Sequence, residues 1–427
     1  MTPKTLAEWL DYQQHVHPRA IELGLQRAAE VWRRLGAPRP APIVITIGGT
    51  NGKGSTVAFL EAMLRAAGKR VGAYTSPHLL RYNERVRVLG EEADAAALVD
   101  AFERIEAARR EIPLTYFEFG TLAALWIFAQ SGLDVALLEV GLGGRLDAVN
   151  IIDADATVVT TVDLDHQDWL GNDIDSIARE KAGIFRPHRP AIIGMREPPA
   201  GLLSEGARIG ARLVRAGRDY RAASRADGWR WQSGNDELEL PYPLLAAPCQ
   251  IDNAAAAIAA LHALRDRLGW SPQALARGVR SAHVSARLQR FAKPGAAELF
   301  IDVAHNPQAA RALALWFATN PTHTRTLAAF GALSDKDVGG IVEPLGAHID
   351  CWFLAGLNDD TPRGLTAAQL RERMPDAARV SEFAEAGAAL DAARVQARAE
   401  DRIIAFGSFF IAASALAWAR NNGYFTA

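Results

Sequence analysis

Residues Ile45–Thr56 read ITIGGTNGKGST, a β-branched apolar run that breaks into glycines around a single lysine. The common phosphate-loop spelling places four residues between its first glycine and the Gly-Lys pair, with Ser or Thr directly after the lysine. Here Gly48 stands one residue too close, and Gly54 separates Lys53 from Ser55. The surroundings nevertheless supply what such a loop needs. "PIVITIGG" is short and nearly all apolar, which predicts a buried strand, and "STVAFLEAMLRAAG" has helical spacing and a terminal glycine. Strand, glycine loop and helix together aim backbone N–H groups at an anion, and Lys53 adds a point charge. By itself the loop says nucleotide and no more.

The same alternation runs outward from this loop. "RVGAYT", "DVALLEV", "ATVVTTV" and "PAIIGM" read as buried strands, separated by helical segments such as Phe119 to Gln130 and Ile174 to Ala182. That pattern predicts a mostly parallel sheet covered on both faces. An amphipathic opening segment, Leu6 to Leu35, ends at "GAPRPAP", whose prolines stop a helix. Gly201 to Leu245 is polar and turn-rich, like a small antiparallel excursion, and helices are expected around Asn253 to Arg267 and Pro272 to Ser281. "RLQRFAKPGAA" has the composition of a connector. Beyond it "ELFIDVAHN", "RTLAAFGAL", "CWFLAGL", "ARVSEF" and "RIIAFGS" restart the alternation as a second, smaller doubly wound α/β domain.

At 427 residues, 49% hydrophobic and 22% charged, the chain is ordinary globular material with enough length for two or three cores. A formal net charge of -2 and the absence of a Lys/Arg run argue against a broad nucleic-acid surface and leave room for a locally basic pocket. Cys249 and Cys351 lie too far apart in sequence for a metal-type cluster, and a reducing cytoplasm fits them. The opening twenty residues carry Glu8 and Asp11 where a signal peptide needs an apolar run. "IIAFGSFFIAASALAWA" is apolar but short, and Gly407 and Ser408 divide it into a strand-like and a helix-like half, so it is expected in a core rather than a membrane.

Candidate chemistry gathers where strands end. Glu139 closes "DVALLEV", Ser76 follows "RVGAYT", and His166 stands among aspartates in "DLDHQDWLG" after "TVVTTV". Open parallel sheets place ligands at that edge, and a nucleoside triphosphate brings Mg²⁺, which prefers oxygen donors. On chemical grounds His166 suits a base or phosphate contact better than a hard ion. Lys181, in "IAREKAGIFRP", falls in the last turn of a helix, where a lysine ordinarily complements the dipole. In the second domain "IDVAHNP" sets Asp302, His305 and Asn306 after its first strand.

The motifs "GTNGKGST", "TSPHLLRYNERVRV", "TYFEFGTLAAL", "LEVGLGGRLDAVN", "LDHQDWLG", "REKAGIF", "RLQ", "DVAHNP", "LSDKD" and "FGSF" occur in that order. In this the chain resembles the folylpolyglutamate synthases of the Mur ligase superfamily, and "AIELGLQRA" with "TYFEFGT" resembles the bifunctional form that is also a dihydrofolate synthase. The off-pattern loop is that family's own variant. The resemblance implies a P-loop ATPase-like parallel-sheet domain that binds ATP and pterin over residues 1–284, a linker over 285–297 and a smaller Rossmann-like ligase domain over 298–427.

Carried over by position, Asn51, Gly52, Lys53, Gly54 and Ser55 match the loop that cradles ATP. Ser76, Glu139 and His166 match Mg²⁺ ligands, and Lys181 matches a lysine carbamylated by CO₂ that helps hold a second ion. Asn253, Arg287, Asp302 and His305 match nucleotide contacts, so that ATP is expected between domains. Ile21, Glu22, Leu23, Gly24, Thr115, Tyr116, Phe117, Glu118, Leu146, Asp147 and Ala148 match the dihydropteroate pocket. Two departures are Ala286, where the family commonly has glycine, and Cys249, where histidine is frequent.

The implied activity is a cytoplasmic, monomeric ligase using ATP and Mg²⁺ to add L-glutamate to 7,8-dihydropteroate and to reduced folates through an acyl phosphate. Lys53, His166 and Lys181 are the implied catalytic residues, and neither nucleic acid nor membrane is an expected partner. A folylpolyglutamate synthase alone, a muramyl-type amino-acid ligase and a nucleotide-driven switch are the competing readings.

Overall fold

In the computed structural model, which describes residues 4–19, 21–321, 324–375 and 378–427, the chain divides into two compact units. Residues 1–244 with 251–283 form the first, and residues 245–250 with 284–427 the second. Ala20, the first residue of "AIELGLQRA", lies outside the described residues.

The first unit is built on β1 (Ile43–Gly48), β2 (Val71–Tyr74), β3 (Val86–Val88), β4 (Glu91–Glu92), β5 (Val135–Glu139), β6 (Ala156–Val159), β7 (Pro190–Ile193) and β8 (Arg212–Arg215). Their order across the sheet is β4-β3-β2-β5-β1-β6-β7-β8. The strands from β2 to β8 run parallel, and β3 and β4 add an antiparallel edge. β1 is central and buried along its whole length, which is why its sequence is a continuous apolar run rather than an alternation. Its register decides the site: Ile47 lies opposite Glu139 of β5, and Gly48 lies opposite Val159 of β6. The glycine loop, Glu139 and the threonines after β6 therefore leave the sheet at one edge.

Helix Lys53–Ala66 follows the loop, and helix Pro272–Ser281 packs on it so closely that a Cβ at Gly278 would sit 2.4 Å from Met63 Cα. The N-terminal helices Leu6–Val16 and Gln26–Arg34 are separate, divided by a stretch holding Pro18 and Gly24. Trp9, Phe102, Tyr82 and Phe119 then form a chain of ring contacts in the core.

The excursion differs from its sequence reading at its start. Ala200–Ile209 is a helix, and β8 joins the large sheet as a parallel strand. Gly201 and Gly206 look like breakers in sequence, but they serve close packing: a Cβ at Gly201 would meet Asp175 O at 2.5 Å, and one at Gly206 would meet Leu213 at 2.7 Å. The antiparallel part is β9 (Arg221–Arg225), β10 (Gly228–Ser233) and β11 (Asp236–Leu240). It is anchored by the fully buried Trp231, whose indole N–H donates to Ala255 O at 3.2 Å.

The second unit holds β12 (Gln289–Ala292), β13 (Glu298–Ile301), β14 (Thr326–Phe330), β15 (Cys351–Ala355), β16 (Val380–Phe383), β17 (Arg402–Phe406) and β18 (Phe425–Thr426), ordered β16-β15-β14-β17-β13-β12-β18. Residues 289–292, read as connector, are thus a strand. Lys293-Pro294-Gly295-Ala296 turns it into β13, where Phe291 pairs with Leu299. Only Phe291 of that strand is buried, too short an apolar signal to stand out beside the turn residues. The apolar C-terminal stretch divides at Gly407 and Ser408 into β17 and helix Phe409–Asn421, with Ser408 as N-cap. Among the described residues no helix is long and apolar enough to cross a membrane.

At the edge of the first sheet where β1 and β6 begin, Asp155 is a buried carboxylate tying three chain segments together. It accepts from the Val44 amide at 2.9 Å, from Arg39 at 2.6 Å and from Arg267 at 2.6 Å. Burial alone would raise its pKa, but Arg267, the Val44 amide and Arg39 outweigh that and hold it below the usual aspartate value. We predict that Asp155→Ala costs about 2 kcal/mol in urea unfolding, because the buried Val44 N–H loses its partner. Asp155's contribution is fully present above the ordinary aspartate pKa and is lost as pH falls through the lowered folded value. The wild-type advantage over Asp155→Ala should therefore shrink on acidification below about pH 4.

Candidate active site

Gly48 to Ser55 turns from a buried strand into a helix, and the turn is pinned to the strand beside it. Thr160 Oγ1 donates to Asn51 O at 2.6 Å, the Asn51 amide donates to Thr161 Oγ1 at 3.0 Å, and the Thr50 amide donates to Thr161 O at 2.8 Å. Gly49 (φ +141°) and Gly52 (φ +86°) occupy conformations that side chains avoid, and there is no room for one. A Cβ at Gly49 would collide with Thr160 Oγ1, and one at Gly52 would sit 2.4 Å from Asn253 Oδ1. The Lys53 ammonium donates to the carbonyls of Gly49 (3.0 Å) and Thr50 (3.1 Å), so it folds back over the loop it follows. Ser55 is buried in the first turn of the helix.

Beside this loop, the Ser76 amide donates to Glu139 Oε2 at 3.2 Å, and a Cβ at Gly54 would lie 3.7 Å from the same oxygen. Loop, Ser76 and Glu139 therefore share one corner. Lys181, which its helix position alone would set at the dipole and which the family resemblance makes a carbamylated lysine, is 4% exposed. Burial, then the charge of Lys53, draws its pKa down to about 7 against the opposing pull of Asp165. His166 stands in the left-handed region (φ 53°), with its side chain 39% exposed and Asp165 at 4.0 Å. Among the described residues no three His, Cys, Asp or Glu side chains cluster to hold a metal ion.

The three segments matched to the pterin pocket come together. The Gly24 amide donates to Leu146 O at 3.3 Å, and Arg27 bonds Glu22 Oε1 at 2.8 Å and Glu118 Oε1 at 3.2 Å. Thr115 and Glu118 cap the helix Tyr116–Gln130 reciprocally. Asp147 accepts from the amides of Gly141, Leu142 and Val149, yet burial pushes it up to about 6. Phe117 lies against Gly141, where a Cβ would meet its ring at 2.5 Å, while Ile21 and Glu22 stay partly open to solvent. Ala148 is buried, and Leu23 and Leu146 are half-buried. Arg27, which ties these segments together, was not singled out from sequence; its only signal was its place inside "AIELGLQRA".

In the second unit the Asp302 carboxylate accepts from the amides of Leu288 (2.6 Å) and Ala304 (2.8 Å), with its pKa raised by burial. The Arg287 guanidinium lies 5.4 Å over the Phe409 ring, and the His305 ring lies 5.9 Å from it. Asn306 caps helix Pro307–Thr319. Ala286 sits at φ 54°, a conformation in which an alanine costs about 1 kcal/mol or more where a glycine would not.

Against known proteins, the Mur ligase middle domain matches residues 47–261 and the Mur ligase, glutamate ligase domain matches residues 286–409. The chain is 46% identical over 405 residues to the dihydrofolate synthase/folylpolyglutamate synthase of Escherichia coli strain K12, covering 95% of this chain and 93% of that one. It superposes on E. coli FolC in complex with DHPP and ADP with a TM-score of 0.93 and 44% identity over 99% of both chains. A bifunctional folylpolyglutamate synthase/dihydrofolate synthase with Mn, AMPPNP and L-glutamate bound gives a TM-score of 0.90 and 44% identity, covering 98% of this chain and all of that one.

Lys181 yields a prediction that separates a functional group from a structural one. Its folded pKa of about 7 lies below the ordinary 10.5, so the folded protein carries a penalty that is complete below pH 7 and relieved as pH rises from there toward 10.5. In metal-free, decarbonated buffer Lys181→Met should raise the melting temperature, most at or below pH 7 and progressively less above it. A loss of stability at pH 6 would show that the amine has packing or bonding value instead.

Proposed function

The chain belongs to the dihydrofolate synthase/folylpolyglutamate synthase family of Mur ligases, and from that premise we propose that it uses ATP to join L-glutamate to 7,8-dihydropteroate and to the γ-carboxylate of reduced folates. One observation carries the reading. The ATP-type loop with its Glu139–Ser76 corner and the closed set 21–24, 115–118 and 146–148 stand in one unit of a chain 46% identical to an enzyme of both names.

An amide does not form from a free carboxylate and an amine in water without activation. The acceptor carboxylate attacks the γ-phosphorus of ATP, the bond to the bridging oxygen breaks, and ADP leaves an acyl phosphate behind. Lys53, with the loop amides, stabilises the charge spread over the transferred oxygens. The glutamate α-amine then adds to the acyl carbon, the tetrahedral intermediate collapses, and phosphate departs with the amide formed and the amine's proton lost. Phe117 and Asp147 orient the pterin. Asn253, Arg287, Asp302 and His305 are assigned to the nucleotide.

The donor chemistry suits a hard divalent ion: Glu139 brings a carboxylate beside the loop and Ser76, bonded to it through its amide, carries a hydroxyl, while the family resemblance adds His166 as a softer ligand. Such an ion, when bound, supplies charge neutralisation at the ATP phosphates. A second ion would depend on Lys181. A lysine held near pH 7 is substantially free base at neutral pH, and the free amine is the form that attacks CO₂, losing a proton to become a carbamate with two oxygen donors. We expect ¹³C-bicarbonate to give a protein carbamate signal that Lys181→Ala abolishes. No signal in the wild-type protein would overturn this modification.

The activity is tested by phosphate release from ATP and Mg²⁺ with L-glutamate, offering 7,8-dihydropteroate and a reduced folate monoglutamate in turn, with products confirmed by mass. Release with both is expected. Lys53→Met should lower kcat about a hundredfold or more with the fold intact. Release with folate alone would leave only the polyglutamylating activity, and release with neither would refute the assignment.

A further inference from the structure

Arg85 is a buried cation that forms no ion pair among the described residues. Its residue is 8% exposed, and its Nε donates to His78 Nδ1 at 2.8 Å, an arrangement in which that imidazole nitrogen must be an acceptor and so carries no proton. The guanidinium lies over two mutually perpendicular rings, 5.2 Å from the centre of Tyr82 and 5.4 Å from that of Tyr116, whose own centres are 5.8 Å apart. Among the described residues no carboxylate comes within 4.0 Å of it. Other shielded arginines of the same unit are compensated: Arg87 pairs with Glu61 at 2.8 Å, Arg27 with Glu118 at 3.1 Å, and Arg109 with Glu106 at 2.6 Å. A guanidinium removed from water and given only a neutral imidazole and two aromatic faces is costly unless an anion completes it.

Its position says which anion. Tyr116 belongs to the segment 115–118 assigned to the pterin, beside Phe117, which packs against Gly141. His78 stands two residues past Ser76, whose amide is bonded to Glu139 in the corner by the phosphate loop. Arg85 thus touches the segment assigned to the pterin and, through His78, the stretch that begins at the corner where a carboxylate would be activated. Its planar fork of donors matches a carboxylate in two parallel hydrogen bonds. The rings of Tyr82 and Tyr116 border the guanidinium on one side.

We propose that Arg85 is the specificity residue that binds the carboxylate end of the acceptor, held in place by His78, Tyr82 and Tyr116. This rests on the acceptor assignment made above. It is tested by calorimetric binding of 7,8-dihydropteroate and of its uncharged carboxamide analogue, in the presence of ADP, to the wild-type protein, Arg85→Gln and Arg85→Lys. The wild-type protein should prefer the acid about ten- to a hundredfold. Arg85→Gln should bind acid and amide alike, and Arg85→Lys should keep part of the preference. A merely structural arginine would weaken both ligands together and leave their ratio unchanged. An Arg85→Gln protein that keeps the acid preference overturns the proposal while leaving the acceptor assignment intact. Wild-type protein that binds neither ligand overturns that assignment, and this inference with it.

Discussion

A parallel strand that ends in glycines leaves amides and carbonyls that no side chain of its own can cap, and this molecule answers with two hydroxyls and a carbonyl from the residues just after β6. Thr160 and Thr161 bond Asn51 and Thr50, so the turn after β1 is held open rather than collapsed. Everything at that edge depends on the bracing. It sets Lys53 over the loop and keeps Gly54 beside Glu139. The glycines are required twice over, once for their backbone angles and once because Thr160 and Asn253 already occupy the places where side chains would stand.

The two ends of the first sheet treat buried charge differently. At the end where β1 and β6 begin, Asp155 is fully compensated by an amide and by arginines, and the arrangement holds segments together. At the other end the charges are left strained. Lys181 is drawn down and Asp147 is pushed up, each chiefly by burial, and Arg85 has only a neutral partner. Groups held away from their preferred protonation or pairing cost stability, and such groups gather where chemistry is done.

Much of this was legible beforehand because periodicity and punctuation are local signals. The β1 strand, the loop and helix Ile174–Ala182 follow directly from apolar runs, glycine and helical spacing. Where reading failed, a glycine or a polar residue was serving a contact distant in sequence. Gly201 and Gly206 sit inside a helix because Asp175 and Leu213 press against them. The strand Gln289–Ala292 carries one buried side chain and owes its form to pairing with β13 and β18.

The sequence by itself determined the fold class, the phosphate-type loop and the strand-end positions of Ser76, Glu139 and His166, since those follow from residue types at short spacing. It could not determine that Lys181 would be buried, that Arg27 would bind Glu22 and Glu118 together, or that Arg85 would lie over two tyrosine rings with no ion-pair partner among the described residues. Those are decided by which strands become neighbours. Strands β1 and β2 are consecutive in the chain, yet β5 is inserted between them in the sheet. The burial and charge environment of a side chain are set by such neighbours, and the neighbours exist only once the sheet has formed.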